Sequence, residues 1–216
     1  MLNRILIYNS GGGIGDAIQL ITLIKTLKSQ FKNSKFYYLS AHENHFNSSL
    51  KDFNCEIDTL KLQIKYFGFR WWHGLIINKK IKENSIETFD LILDLQSKIR
   101  NSLILKLLPH KNFISPCLNF KLSKPKLNIE KEKKISNTII KSLNFIYNMD
   151  CKINEFDMNT INKKFFTESE KLLPKNNYVG FSITQGNVYR KKELPLNNIV
   201  SLCSIFKKAN KTPVFF

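Results

Sequence analysis

The chain has 216 residues, 43% of them hydrophobic, and a net charge of +17 from 34 basic and 17 acidic side chains. That is enough apolar material for one large or two small globular cores, and no apolar run approaches the roughly 20 residues that cross a bilayer. Only Arg4, Arg70, Arg100 and Arg190 among the cations are arginines, whereas readers of bases and phosphates lean on arginine's planar fork, so a nucleic-acid partner is not expected.

Taken in chain order, Arg4 to Asn9 is an apolar strand pattern that runs into a glycine-rich turn, SGGGIGD. A helix is expected from about Asp16 to Phe31, with Ala17, Leu20, Ile24, Leu27 and Phe31 on one face. The turn lacks the Lys-Ser/Thr pair of a P-loop, because Gly15 is followed by Asp16 and Ala17. Counting a dinucleotide fingerprint from Gly11 places Asp16 where its third glycine should stand, against an incoming pyrophosphate. The carboxylate therefore points away from phosphate cradling and leaves two readings. Asp16 is either a proton acceptor presented at a helix start, or a residue that stabilises the first turn by about 0.3 to 1 kcal/mol.

Lys35 to Ser40 reads as a second strand and Ile57 to Leu62 as a weaker third. From Lys61 to Lys82 there are six basic residues, no acidic ones, and the aromatics Tyr66, Phe67, Phe69, Trp71 and Trp72. Such a segment suits the headgroup region of an anionic bilayer, and core burial of its rings is the competing reading. Trp72 to Lys82 is expected to be a short helix and Phe89 to Leu95 a buried strand. A further helix, Lys98 to Leu108, is stopped by Pro109 and followed by a short strand at Asn112 to Ser115. This alternation implies an α/β fold, a Rossmann-like parallel sheet covered on both faces, with ligands beyond the strands' C-terminal ends. Asp16 and Gln96 both fall at that edge.

Lys121 to Asn128, with Pro125, reads as a connector before a long helix at Glu130 to Tyr147. The expected divisions are an N-terminal domain over 1–150, a linker over 151–177, and the incomplete start of a second Rossmann-like domain over 178–216. That second part carries a strand from Tyr178, a helix from about Leu196 to Lys208 and a strand at Thr212 to Phe216. Two strands and one helix make no stable sheet alone, so the chain is expected either to be a fragment or to have its second half supplied by another polypeptide. Cys55, Cys117, Cys151 and Cys203 are scattered without a CxxC pair, and with four histidines they point to reduced thiols and no metal. The start of the chain lacks a signal peptide's pattern, which makes the cytoplasm the expected compartment.

Three blocks in order resemble the heptosyltransferase family, glycosyltransferase family 9. SGGGIGDAIQLITLIKTLK is similar to its N-terminal signature, FDLILDLQSKIRNSLILKLL to its D-L-Q-x-x-x-R-S block, and the stretch from Tyr178 to Phe216 to the start of its nucleotide-sugar domain. Ser97 stands where the family commonly has glycine, and Leu194 replaces the tryptophan of K-x-W-P. The resemblance implies a two-domain, inverting GT-B enzyme that moves a heptose from an ADP-sugar to a lipopolysaccharide core acceptor.

By the family motif Asp16 is the general base, Gly13 and Gly15 with Gln96 and Arg100 face the acceptor, and Thr184, Gln185 and Lys192 bind the donor diphosphate without a metal or other cofactor. The implied partners are a nucleotide-sugar donor, a lipid-linked saccharide acceptor and the anionic inner face of a Gram-negative inner membrane. A non-catalytic acceptor-binding remnant of such an enzyme is the alternative.

Overall fold

The computed structural model describes residues 2–96, 98–175, 177–182 and 194–216. The chain divides into two compact units, Met1–Met158 and Asn159–Phe216. In the first unit five strands, β1 (Arg4–Asn9), β2 (Lys35–Ser40), β3 (Asp58–Thr59), β4 (Phe89–Asp94) and β5 (His110–Ile114), form one sheet in the order β3-β2-β1-β4-β5. Every pairing in it is parallel.

The central strands are almost continuously apolar because both faces of a parallel sheet are covered. All six residues of β4 are buried, as are the last five of β1. Ile5 and Ile7, with Leu91 and Leu93, join a core completed by helices α2 (Ile21–Gln30) and α5 (Ile135–Tyr147). Leu6 and Tyr8, with Ile92, face the opposite core, closed by α3 (His73–Glu83) and α4 (Ile99–Leu105). Truncating a fully buried anchor such as Leu27 to alanine costs about 2–5 kcal/mol, since the facing strands cannot collapse onto the gap.

The expected helix from Asp16 to Phe31 is two helices. A five-residue α1 (Ile14–Ile18) precedes α2, and the break between them is closed by a tight bond from Leu20 N to Ala17 O at 2.9 Å. The break lets Leu20 and Ile21 enter the core while Ile14 and Ile18 stay at the surface. It also removes the long aligned dipole behind Asp16, so exposure, and not the field of a long helix, distinguishes that carboxylate.

Helix α5 starts at Ile135, after the charged run from Glu130 to Lys134, because its apolar face begins there and Thr138 Oγ1 accepts from the Glu132 N–H at 2.9 Å. Strand β3 is shorter than the expected Ile57–Leu62 and pairs with β2 only at Asp58 and Thr59.

The first unit continues past Asp150, into residues read from sequence as linker. Asn144 on α5 exchanges two hydrogen bonds with Cys151, and Asn154 N donates to Thr26 Oγ1 on α2. Cys55, Cys117 and Cys151 are buried free thiols, and Cys203 is a half-buried one.

The second unit contains α6 (Lys163–Leu172) and a parallel pair, β6 (Tyr178–Phe181) and β7 (Thr212–Phe215), linked through α7 (Leu196–Lys208). Phe181 packs on Phe206 and Phe215, while Leu196, Val200 and Ile205 of α7 remain exposed. Among the described residues no helix is long and apolar enough to cross a membrane.

Candidate active site

Strand order reverses at β1, which has β2 on one side and β4 on the other. The C-terminal ends of β1 and β4 therefore open a crevice, the position where ligands of open α/β sheets sit. After β1 the chain turns through Gly11 to Gly13 into α1, and Asp16 lies in that helix's first turn. The Asp16 side chain folds back over the turn. A Cβ added to Gly11 would stand 2.5 Å from Asp16 Oδ2, so a glycine is required there for the carboxylate to lie where it does.

Asp16 is exposed and, among the described residues, takes part in no ion pair. Tyr38 on β2 senses it from below the turn. Burial pushes the Tyr38 phenol up to about 12, and the nearby Asp16 charge pushes in the same direction. Gly13 and Gly15 are exposed in the same turn.

Gln96 is tied into this turn from β4. Its Nε2 donates to Asn9 Oδ1 at 2.8 Å, and the same oxygen accepts the Gly11 N–H at 3.0 Å. Its backbone N–H donates to Asp94 Oδ1 at 3.0 Å. Asp94 is fully buried at the end of β4, and it accepts from the hydroxyls of Ser102 on α4 and Ser115 after β5. Burial raises its carboxyl to about 6 against the opposing pull of those three donors.

Arg100, in the first turn of α4, uses Nε to donate to Gly68 O at 2.9 Å. The sequence places Arg100 toward an acceptor; here its fork braces a loop, and among the described residues neither terminal nitrogen is hydrogen-bonded. That loop is held elsewhere too. Tyr8 Oη donates to Phe67 O at 2.9 Å, Asn101 Nδ2 donates to Tyr8 Oη at 3.2 Å, and Gly68 N–H donates to His73 Nδ1 at 3.1 Å. Burial, with Arg100 and Arg70 nearby, lowers the His73 pKa and keeps Nδ1 free to accept. Gly68 has φ +85°, and a Cβ there would meet Tyr8 Oη at 2.5 Å, so the loop needs glycine on both counts.

The braced loop delivers Tyr66 to the crevice. Its ring meets His42 edge-on at 5.1 Å between centroids, and His42 in turn lies over Gly12. His45 Nε2 donates to Gly12 O at 3.1 Å. Asn9, His42, His45 and Tyr66 are thus parts of the site that the motif reading omits. The signal that finds them is positional: Asn9 ends β1, and His42 and His45 follow the C-terminal end of β2, at the same edge as Asp16.

Asp16, Gly13, Gly15 and Gln96 come together at this edge, with Arg100 one loop behind. Thr184, Gln185 and Lys192 lie outside the described residues. Among the described residues no group of three or more His, Cys, Asp or Glu side chains is placed to hold a metal ion.

No protein-family model matches the sequence, and no curated protein does. Solved structures match over almost the whole chain. A glycosyl transferase family 9 protein from Veillonella parvula DSM 2008 superposes with a TM-score of 0.56 at 17% identity, over 99% of this chain and 62% of that one. ADP-heptose lps heptosyltransferase II of E. coli gives 0.53 at 13% identity, over 99% of this chain and 64% of that one. The chain thus spans less than two thirds of the length of the structures it matches, and it shares with them the α/β fold of GT-B-like family 9 glycosyltransferases.

Proposed function

We propose that this chain is the acceptor half, with the beginning of the donor half, of an inverting glycosyltransferase of the family 9 type. In this reading the donor is ADP-heptose or a related sugar nucleotide, and the acceptor is a lipid-linked lipopolysaccharide core saccharide met at the cytoplasmic face of an anionic membrane. The observation that carries it is Asp16: an exposed carboxylate, without an ion-pair partner among the described residues, over a glycine turn at the sheet's switch point.

The acceptor hydroxyl attacks the anomeric carbon on the face opposite the diphosphate. The new C–O bond forms as the glycosidic bond to the diphosphate breaks with its electron pair, and Asp16 takes the hydroxyl proton. A carboxylate serves as base because the attacking oxygen grows acidic as the sugar gains oxocarbenium character. Gln96 and the terminal N–H groups of the Arg100 fork then hold acceptor oxygens. Thr184, Gln185 and Lys192 neutralise the departing diphosphate, the role charged and hydrogen-bonding groups fill where negative charge develops.

The test is heptose transfer from ADP-heptose to a core saccharide by a protein that includes the complete donor half. Asp16→Ala is expected to abolish turnover with an unchanged melting temperature; retained turnover rejects the assignment. The alternative reading is an acceptor-binding module without transferase activity. Calorimetry on the 216-residue chain separates the two, since a module binds the saccharide and ignores the ADP-sugar.

A further inference from the structure

The outer surface of α3 and α4 is apolar where a helical surface normally turns polar. Trp71 and Trp72, just before α3, are 62% and 55% exposed, and Leu75 on its outer row is 86% exposed. On the neighbouring α4 Ile99 and Leu103, and in the turn that follows it Leu107, recur every fourth residue and are 46%, 40% and 47% exposed. That spacing lays them along one stripe. The two rows adjoin: a Cβ on Gly74 would lie 3.6 Å from Leu107 Cδ1. None of these six side chains is needed for the core, which α3 and α4 complete with Ile77, Ile104 and Leu105. An apolar face of this extent marks an interaction surface.

Its electrostatics narrow the partner. Residues 61–82 carry six basic and no acidic side chains, and residues 95–129 carry seven and none. The Arg70 guanidinium lies 5.4 Å from the Trp72 ring centroid, and Lys98 Nζ lies 5.9 Å from that of Phe69, so cations stand beside rings at the start of both rows. At the far end of α3 the exposed acid is Glu83, already engaged by Lys79 and Lys80.

A duplex would satisfy the cations but offer nothing to Leu75, Leu103 and Leu107. A second copy of the same face would bring like charge against like charge. An anionic lipid surface satisfies both components, because indole rings settle at the headgroup boundary, aliphatic side chains enter the acyl edge and lysines meet the negative surface potential.

We propose that the α3–α4 face, from Trp71 to Leu107, docks this protein on an anionic bilayer. The docking extends beyond the basic aromatic segment seen in sequence, since half of its apolar side chains come from α4 and the turn that follows it. Its value for presenting a lipid-linked acceptor rests on the glycosyltransferase reading, but the docking itself does not.

The experiment is flotation of the 216-residue chain with vesicles of phosphatidylglycerol in phosphatidylcholine, and with phosphatidylcholine alone, in the absence of any sugar nucleotide. Trp71 and Trp72 are the chain's two tryptophans, so their emission reports this face directly. Binding to the anionic vesicles, a blue-shifted emission and release by salt are expected. The double variant Leu75→Ser/Leu107→Ser, with circular dichroism unchanged, is expected to lose at least about tenfold in partitioning.

Absence of wild-type binding overturns the proposal, as does binding without an emission shift or a double variant that binds equally well. Two further results overturn it in favour of another partner: duplex DNA bound in place of vesicles, or a dimer that the leucine substitutions dissolve. Because no transfer is measured, failure here leaves the Asp16 assignment standing, and failure of that assignment leaves the docking standing.

Discussion

The side chains of Asn9 and Gln96, 87 positions apart, meet at 2.8 Å where β1 and β4 end, and one Asn9 oxygen accepts from both Gln96 Nε2 and the Gly11 N–H. Gln96→Glu sets a carboxylate oxygen against that oxygen. Rotating the Asn9 amide to donate instead would leave the Gly11 N–H without its acceptor. A loss of about 1–3 kcal/mol of stability is expected in a denaturant titration, with a larger loss if Asn9 is replaced as well.

Gly11→Ala is expected to separate folding from function. The nearest atoms its Cβ would meet, Asp16 Oδ2 and Cγ, can swing aside, and Asp16 Cβ at 3.0 Å has to give by only a few tenths of an ångström. The melting temperature should therefore hardly move, within about 0.5 kcal/mol. The carboxylate resonance of Asp16 should shift in an NMR spectrum, and transfer activity should fall with the displaced base.

Arg100→Ala removes the donor to Gly68 O and releases the loop that carries Tyr66. About 1–2 kcal/mol of stability should be lost. Limited proteolysis should find new cleavage between Lys65 and Arg70 before any global unfolding. Arg100→Lys should rescue only in part, because an ammonium does not reproduce the fixed direction of the Nε–H bond.

Asp94 gives a pH signature with a definite sign. Its carboxyl is raised from 3.8 to about 6 by burial, so the native state holds the proton where the unfolded chain has released it. Stability from this group is greatest below the unfolded value and declines as pH rises through the folded one, by about 3 kcal/mol in all. Asp94→Asn cannot titrate there. The difference in unfolding free energy between wild type and variant should therefore shift against the wild type between about pH 4 and pH 7. Asp90 works oppositely: its hydrogen bond from Lys111, and those from the Asn3 and Arg4 N–H groups, hold its carboxyl low, so its contribution is lost as pH falls.

The sheet was legible because β1 and β4 are apolar runs flanked by turns, and the turn at Asp16 was legible because one carboxylate stands after four glycines, Gly11 to Gly13 and Gly15. Asn9 and His42 were not, since each looks like an ordinary loop residue until parallel pairing places β1, β2 and β4 side by side. The break at Gln19 and Leu20 escaped for a related reason. Helical periodicity continues through it, and only the demand that Leu20 and Ile21 both enter one core requires the tighter turn. Arg100 shows the limit of a motif: its Nε–H is committed to a backbone carbonyl that no local pattern reveals.

The junction of Asn9 with Gln96 also sets an order of events during synthesis. A nascent chain that has emerged only as far as Ser85 already contains the glycine turn, Asp16, His42 and Tyr66, yet lacks Gln96, Arg100 and Asn101, which tie the turn and the Tyr66 loop from the far side. That bracing arrives abruptly, when β4 slides in beside β1 and the loop closes over long separation. A ribosome pausing before that point would expose an assembled half of a crevice with no opposite wall.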